Sequence, residues 1–217
     1  MTSKWALALA ICVVGMLYAQ PVMSQRIRAY AAVGAVASQI EGDELKGFDK
    51  WGFNGGVGAI ARLSQNARWW MSVEADYMRR GSRNNSGNPY NINITLDYVD
   101  IPLTIHFKDP IGGILIGAGV VYSRLVQQPH SSVAFKEDYF VPDLSDMSFL
   151  KNDWSLAAEL RFPVWKGLRL SIRYQQSVVA VKKNWQFTEF HRNKPNPDTW
   201  TNNCYNQSAT IRLLWQF

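Results

Sequence analysis

The sequence predicts an all-β fold, an eight-stranded antiparallel up-and-down transmembrane β-barrel that follows a cleaved leader. Three observations carry this. An apolar run near the N-terminus has the form of an export signal, eight later segments alternate apolar and polar residues with the two-residue period of a strand, and the connections between them alternate short and long.

The leader comes first. Met1 to Lys4 is a short basic start, Trp5 to Tyr18 is almost continuously apolar, and small residues follow at Ala19 and Ser24. That is the order of a secretory signal peptide. Val22 and Ser24 place cleavage after Ser24, giving a leader of residues 1–24 and a barrel domain of residues 25–217, with cleavage after Ala19 as the alternative. The run is shorter than the roughly 20 apolar residues that a spanning helix requires. Cys12 follows Ile11 inside that run, without the small preceding residue of a lipoprotein signal. Once the leader is removed, Cys204 is the remaining cysteine and an intrachain disulfide is excluded. No later segment is apolar enough for a transmembrane helix, which leaves an exported soluble domain or a closed barrel.

Composition does not choose between these two. Charged residues make up 18% and aromatic residues 13% of the chain, and strands that alternate would average to such values. The formal net charge of +6 is spread over many segments, with no dense basic run, which argues against nucleic acid as a partner.

The strands make the choice. Arg28 to Gln39 is small and alanine-rich, with ambiguous faces. Lys50 to Arg62 sets Phe53, Val57, Ala59 and Ala61 against Asn54, Gly56, Gly58 and Arg62. Trp69 to Arg80 sets Trp69, Met71, Val73, Ala75 and Tyr77 against Ser72, Glu74 and Asp76. In Ile92 to Phe107 the apolar positions are even-numbered up to Tyr98 and odd-numbered from Val99, which requires a bulge near Tyr98 or an upper part that has left the membrane. Pro110 to Val126 sets Ile114, Ile116, Ala118, Val120 and Tyr122 against Gly117, Gly119 and Ser123. Trp154 to Val164 and Leu168 to Val179 place Glu159, Arg161, Arg169 and Arg173 opposite their aliphatic faces. Ser208 to Phe217 ends the series, with Ala209, Ile211, Leu213, Trp215 and Phe217 on one face.

The connections at 63–68, 108–110 and 163–167 are short, whereas those at 40–49, 81–91, 127–153 and 180–203 are long. Outer-membrane barrels have this asymmetry, with short turns at the periplasmic end. The expected location is the outer membrane of a Gram-negative bacterium, with its lipid as solvent. The inward faces then collect a charge network of Arg62, Glu74, Asp76, Asp100, His106, Glu159, Arg161, Arg169, Arg173 and Arg212. Eight strands enclose a space that side chains fill, so a plugged lumen is expected.

Leu96-Asp97-Tyr98-Val99-Asp100-Ile101-Pro102-Leu103 resembles the tyrosine-x-acid-Ile-Pro-Leu strand of the Bacteroidetes outer-membrane β-barrel family that includes PorT-like proteins. Gly117 to Tyr122 is similar to that family's glycine-rich fifth strand, and Leu170 to Tyr174 to its seventh. Trp215-Gln216-Phe217 is similar to the C-terminal signal read by the outer-membrane assembly machinery, which makes Trp215 and Phe217 its expected contacts. The resemblance implies fold and location, and a PorT-like part in protein secretion as one role. Pro102 inside a strand implies a local bulge.

The expected function is structural or partner-binding, with no catalytic residues, metal or cofactor. The rival is a lipid-modifying hydrolase or acyltransferase barrel, which requires His106, His130 or His191 to meet a serine and a carboxylate at one membrane interface. Asp100 lies six residues from His106, about 20 Å along the strand, too far for a pair, so a carboxylate on a neighbouring strand is expected to hold His106. A soluble calyx would turn the apolar faces inward and leave the charged faces outside. The long connections carry Phe135, Tyr139, Phe140, Trp185, Phe187 and Trp200, either as a cap over the mouth or as a contact surface for a protein or glycan. The barrel expectation predicts that unboiled protein from the membrane fraction migrates faster on a gel than boiled protein. Replacing Trp215 and Phe217 by Ala is expected to abolish the fast form, and identical migration of wild type before and after boiling would sink the barrel.

Overall fold

The computed structural model describes residues 27–43, 47–64, 66, 68–83, 90–135, 140–142, 148–189 and 198–217, so the leader lies outside the described residues. Among the described residues ten strands form: β1 (Arg28–Glu41), β2 (Lys50–Arg62), β3 (Trp69–Arg83), β4 (Tyr90–Lys108), β5 (Leu115–Phe135), β6 (Phe140–Pro142), β7 (Asn152–Trp165), β8 (Leu168–Ser177), β9 (Lys182–Glu189) and β10 (Asp198–Gln216). Eight follow one another antiparallel as β1-β2-β3-β4-β5-β7-β8-β10, and β10 pairs back onto β1 to close the barrel. β6 and β9 extend the upper half of β10 into a small sheet at the long-loop end.

Closure sets the width of the lumen. Lateral pairs run from Phe53 through Ala35, Ile211, Ile172, Leu160, Ile116 and Phe107 to Trp69. Trp69 then faces Leu63, whose amide donates to its carbonyl at 2.8 Å, so one circuit advances ten residues along β2. At about 3.3 Å per residue and 4.8 Å between strands, that stagger over eight strands gives a tilt of roughly 40°. The outward positions carry an apolar band on every barrel strand, including Val33, Val57, Val73, Leu103, Ile116, Leu156, Ile172 and Ile211, all exposed. Aromatic residues mark its two edges: Trp69, Trp165, Trp215 and Phe217 at the short-turn end, and Phe53, Tyr77, Tyr122, Trp154 and Tyr174 nearer the other. The eight residue steps from Trp69 to Tyr77 rise about 20 Å at that tilt, close to the roughly 25 Å apolar band of such barrels.

Small residues in β2 and β5 make room for larger inward neighbours. A Cβ on Gly58 would lie 2.6 Å from Tyr30 Cζ, and one on Gly117 would lie 2.3 Å from His106 Nδ1. The alanine-rich β1 has inward even positions, Tyr30, Ala32, Val36, Ser38 and Ile40, which resolves its faces.

Several boundaries differ from expectation. β5 starts at Leu115, because residues 110–114 form a turn in which the Asp109 amide donates to the Ile114 carbonyl at 2.8 Å. The long connections at 127–153 and 180–203 contain strand: β5 runs on to Phe135, and β6 pairs with β9. β4 keeps its even residues inward from Ile94 to His106, so Ile94, Leu96 and Tyr98 are buried in the lumen above Asp100, Thr104 and His106. The bulge near Tyr98 is present, with its extra residues on β5 between His130 and Leu125. Pro102 does not make a bulge. The β3–β4 ladder is interrupted between Val73↔Leu103 and Asp76↔Asp100 without a shift, as expected where an amide hydrogen is missing.

Gly58→Val is expected to destabilise the barrel by about 1–3 kcal/mol through overpacking against Tyr30. Gly55→Val faces outward, where the nearest neighbour of a Cβ would be the Ala32 carbonyl oxygen at 3.9 Å, and is expected to leave stability near wild type. Urea titration followed by gel mobility compares the two, and equal midpoints would refute the packing argument.

Candidate functional site

The central lumen is an ionic core assembled from strands far apart in sequence. Alternation turns Glu74 and Asp76 of β3, Glu159 and Arg161 of β7, Arg173 of β8 and Arg212 of β10 inward, and all are buried. Glu74 accepts from Arg161 at 2.5 Å, from Arg173 at 2.7 Å and from Arg212 at 2.7 Å. Glu159 accepts from Arg161 at 3.0 Å, Arg173 at 3.0 Å and Arg212 at 2.6 Å. Asp76 accepts from Arg212 at 3.1 Å, with Arg173 at 3.5 Å. The Tyr30 hydroxyl donates to Glu74 at 2.7 Å, and the Ser171 hydroxyl to Glu159 at 2.5 Å.

Burying one such ion costs several kcal/mol, which mutual attraction in the interior offsets only where partners are close and hydrogen-bonded. The shared contacts meet that condition. Each of the two glutamates touches all three arginines, so no single deletion leaves a neutral remainder.

A second cluster lies above the first. Arg80 meets Asp153 at 3.3 Å and Asp100 at 3.7 Å, with its guanidinium 4.1 Å from the Tyr98 ring centroid. Ser177 and Asn206 donate to Asp153 at 2.7 Å and 3.2 Å. Apolar layers close both ends of this polar column. Ile40, Ile94, Leu96, Tyr98, Leu125, Phe149, Val181, Trp185 and Cys204 pack above it, and Tyr30, Ala32, Ile60, Leu115 and Leu214 pack below it with Trp70.

Of the expected network, Glu74, Asp76, Glu159, Arg161, Arg173 and Arg212 come together in the core, and Asp100 joins Arg80. Arg62 and Arg169 do not join either cluster. Both are half-buried at the short-turn rim, where Arg169 donates to the Gly113 carbonyl at 3.3 Å. His106 is buried, but its neighbour is a hydroxyl rather than a carboxylate: Nε2 lies 2.8 Å from Ser72 Oγ, and Nδ1 has no hydrogen-bond partner. Arg80, Asp153 and Tyr30 were missed by the sequence, although all three have the inward parity of their strands.

The loop aromatics divide. Trp185 is buried and meets Phe149 edge-on at 6.0 Å, and Trp200 packs against the same upper core, so these two belong to the cap. Phe135, Phe140 and Phe187 sit on β5, β6 and β9, and Tyr139 lies outside the described residues, as does His191. Among the described residues, no group of three or more His, Cys, Asp and Glu side chains is placed to hold a metal ion.

A closed eight-stranded barrel with an apolar exterior and an ionic interior is matched by the sequence model of the outer membrane protein beta-barrel domain, over residues 7–217. The chain belongs to that family. It is an outer-membrane β-barrel protein, with the lipid-facing band described above. A search of curated proteins finds no match. Among solved structures, the attachment invasion locus protein Ail of Yersinia pestis is similar at 13% identity and a TM-score of 0.46, covering 90% of this chain and 100% of that one. Neisserial surface protein A is similar at 13% identity and a TM-score of 0.47, covering 87% and 97%. A major outer membrane protein from Thermus thermophilus shows 11% identity and a TM-score of 0.44, covering 88% and 100%.

Glu159→Ala strands three buried arginines with one glutamate fewer and is expected to cost about 3–5 kcal/mol. Glu159→Gln keeps the volume and two polar atoms and is expected to cost less. Urea midpoints of the folded gel form check both, and a Glu159→Ala midpoint equal to wild type would show that the core is not holding the barrel.

Proposed function

We propose that this outer-membrane barrel is a non-conducting scaffold that acts at its ends, binding a protein or glycan partner at the extracellular side. The sealed lumen carries this proposal: two ionic clusters stacked between two apolar layers leave the surfaces outside the barrel wall as the places where function resides. The extracellular sheet of β6, β9 and upper β10, with Phe135, Phe140 and Phe187 on its strands and the neighbouring β5, is the contact region in this proposal. A PorT-like part in protein secretion is the specific role, supported by the resemblance carried by residues 96–103 and 117–122. Removal of residues 1–24 and recognition of Trp215 and Phe217 by the assembly machinery belong to the same proposal.

A lipid-modifying enzyme is the second reading, favoured by the contact of Ser72 with His106 at 2.8 Å. Against it, both residues are buried on the lumen side of β3 and β4, and the second imidazole nitrogen lacks the carboxylate that would orient it.

Two measurements test the proposal. In planar bilayers, wild type is expected to give no steady conductance, and ohmic single-channel steps would overturn the sealed lumen. In cells, Ser72→Ala with His106→Ala is expected to leave the lipid A and phospholipid profiles of the outer membrane unchanged, and a changed profile would move the assignment to the enzyme.

A further inference from the structure

The short-turn rim is as basic as the lumen is balanced. Among its described residues stand Arg28, Arg62, Arg68, Lys108, Lys166 and Arg169, against the single acidic side chain Asp109, which accepts from the Gly112 amide within its own turn. Arg28 and Arg169 flank a cavity of about 250 Å³ that Gln216, Gly167, Pro163, Trp165 and Phe217 complete. A smaller one of about 60 Å³ shares Arg28, Arg169 and Gln216 and adds Lys108. In the lumen every buried arginine meets a carboxylate, whereas here the polar partners of Arg169 are the Gly113 carbonyl and the Gln216 side-chain oxygen, at 3.3 and 3.5 Å. Its second terminal nitrogen is left without a protein acceptor among the described residues.

We propose that this rim cavity binds the phosphate of an anionic phospholipid from the periplasmic leaflet. The short-turn end of an outer-membrane barrel lies at that leaflet. Two guanidiniums and an amide supply the donors that phosphate oxygens accept, and arginine matches them in pairs. The wall of the cavity selects a lipid over a soluble anion. Trp165 is 78% exposed and Phe217 73% exposed, and both continue into the lipid-facing surface of Val164 and Trp215. A headgroup held at Arg169 can therefore lay its acyl chains along that aromatic edge.

Native mass spectrometry of the detergent-solubilised barrel, with phosphatidylglycerol and phosphatidylethanolamine of matched chains, tests this. Wild type is expected to retain phosphatidylglycerol preferentially. Arg28→Gln with Arg169→Gln is expected to weaken that retention about twenty-five-fold, as two arginines contributing a factor of roughly five each would give. Arg68→Gln with Lys166→Gln, outside the cavity, is expected to keep most of it, and gel mobility confirms that each variant is folded. Equal retention of the two lipids by wild type overturns the proposal without needing any variant to fold. So does equal retention of phosphatidylglycerol by wild type and the folded cavity variant. Displacement of the lipid by inorganic phosphate at similar concentration would identify a soluble-anion site and overturn the lipid assignment. The outcome is independent of the conductance test, since it reads the rim and not the lumen.

Discussion

The structure depends on one constraint, that charges removed from water inside a narrow barrel must find partners there. Glu74 and Glu159 each accept from Arg161, Arg173 and Arg212, and those five side chains come from four strands. An isolated ion in such a place would cost several kcal/mol, a large fraction of the total stability of a typical domain. The network therefore fixes which strands face one another and at what height, because a register slip of one residue would turn every charge on that strand toward lipid. The same slip would turn that strand's apolar face into the lumen, and it would part Gly58 from Tyr30 or Gly117 from His106.

The two apolar layers follow from the same constraint. A polar column open to water at either end would exchange its partners for solvent, and would behave as a pore. Trp70 and Leu115 below, with Phe149 and Trp185 above, keep the low-dielectric surroundings in which the pairs are strong. At the rim the logic reverses. Arg28 and Arg169 lie where water and headgroups reach, and there a charge stays available to something outside the chain.

Strand period made most of the barrel legible in the sequence, because alternation states which side each residue faces. It does not state depth. Arg62 and Arg169 have inward parity, yet they sit at a strand end, and only the pairing register separates them from Arg161 and Arg173. Depth also explains β4, where an apolar inward face at Ile94 and Leu96 looked like a change of side; the lumen is polar at mid-height and apolar above. Arg80 and Asp153 were hidden by lying at the edges of their segments. The partner of His106 is set by the cross-strand neighbour Ser72, which no single-strand pattern contains. Upper β10, rich in asparagine and polar residues that are scarce in strands, gave no strand signal and owes its form to pairing with β9.

The position of Arg212 has a consequence for the order in which the wall is built. Glu74 and Asp76 are made early in the chain, on β3, while Arg212 lies on the last strand, whose pairing with both β1 and β8 is the act of closure. Until that strand docks, the acids of β3 lack one of their cations and the seam stands open. The final strand thus brings a counter-ion together with a hydrogen-bonded edge. Completion of the wall and neutralisation of its interior are one event, and a barrel lacking β10 would be both unsealed and charged.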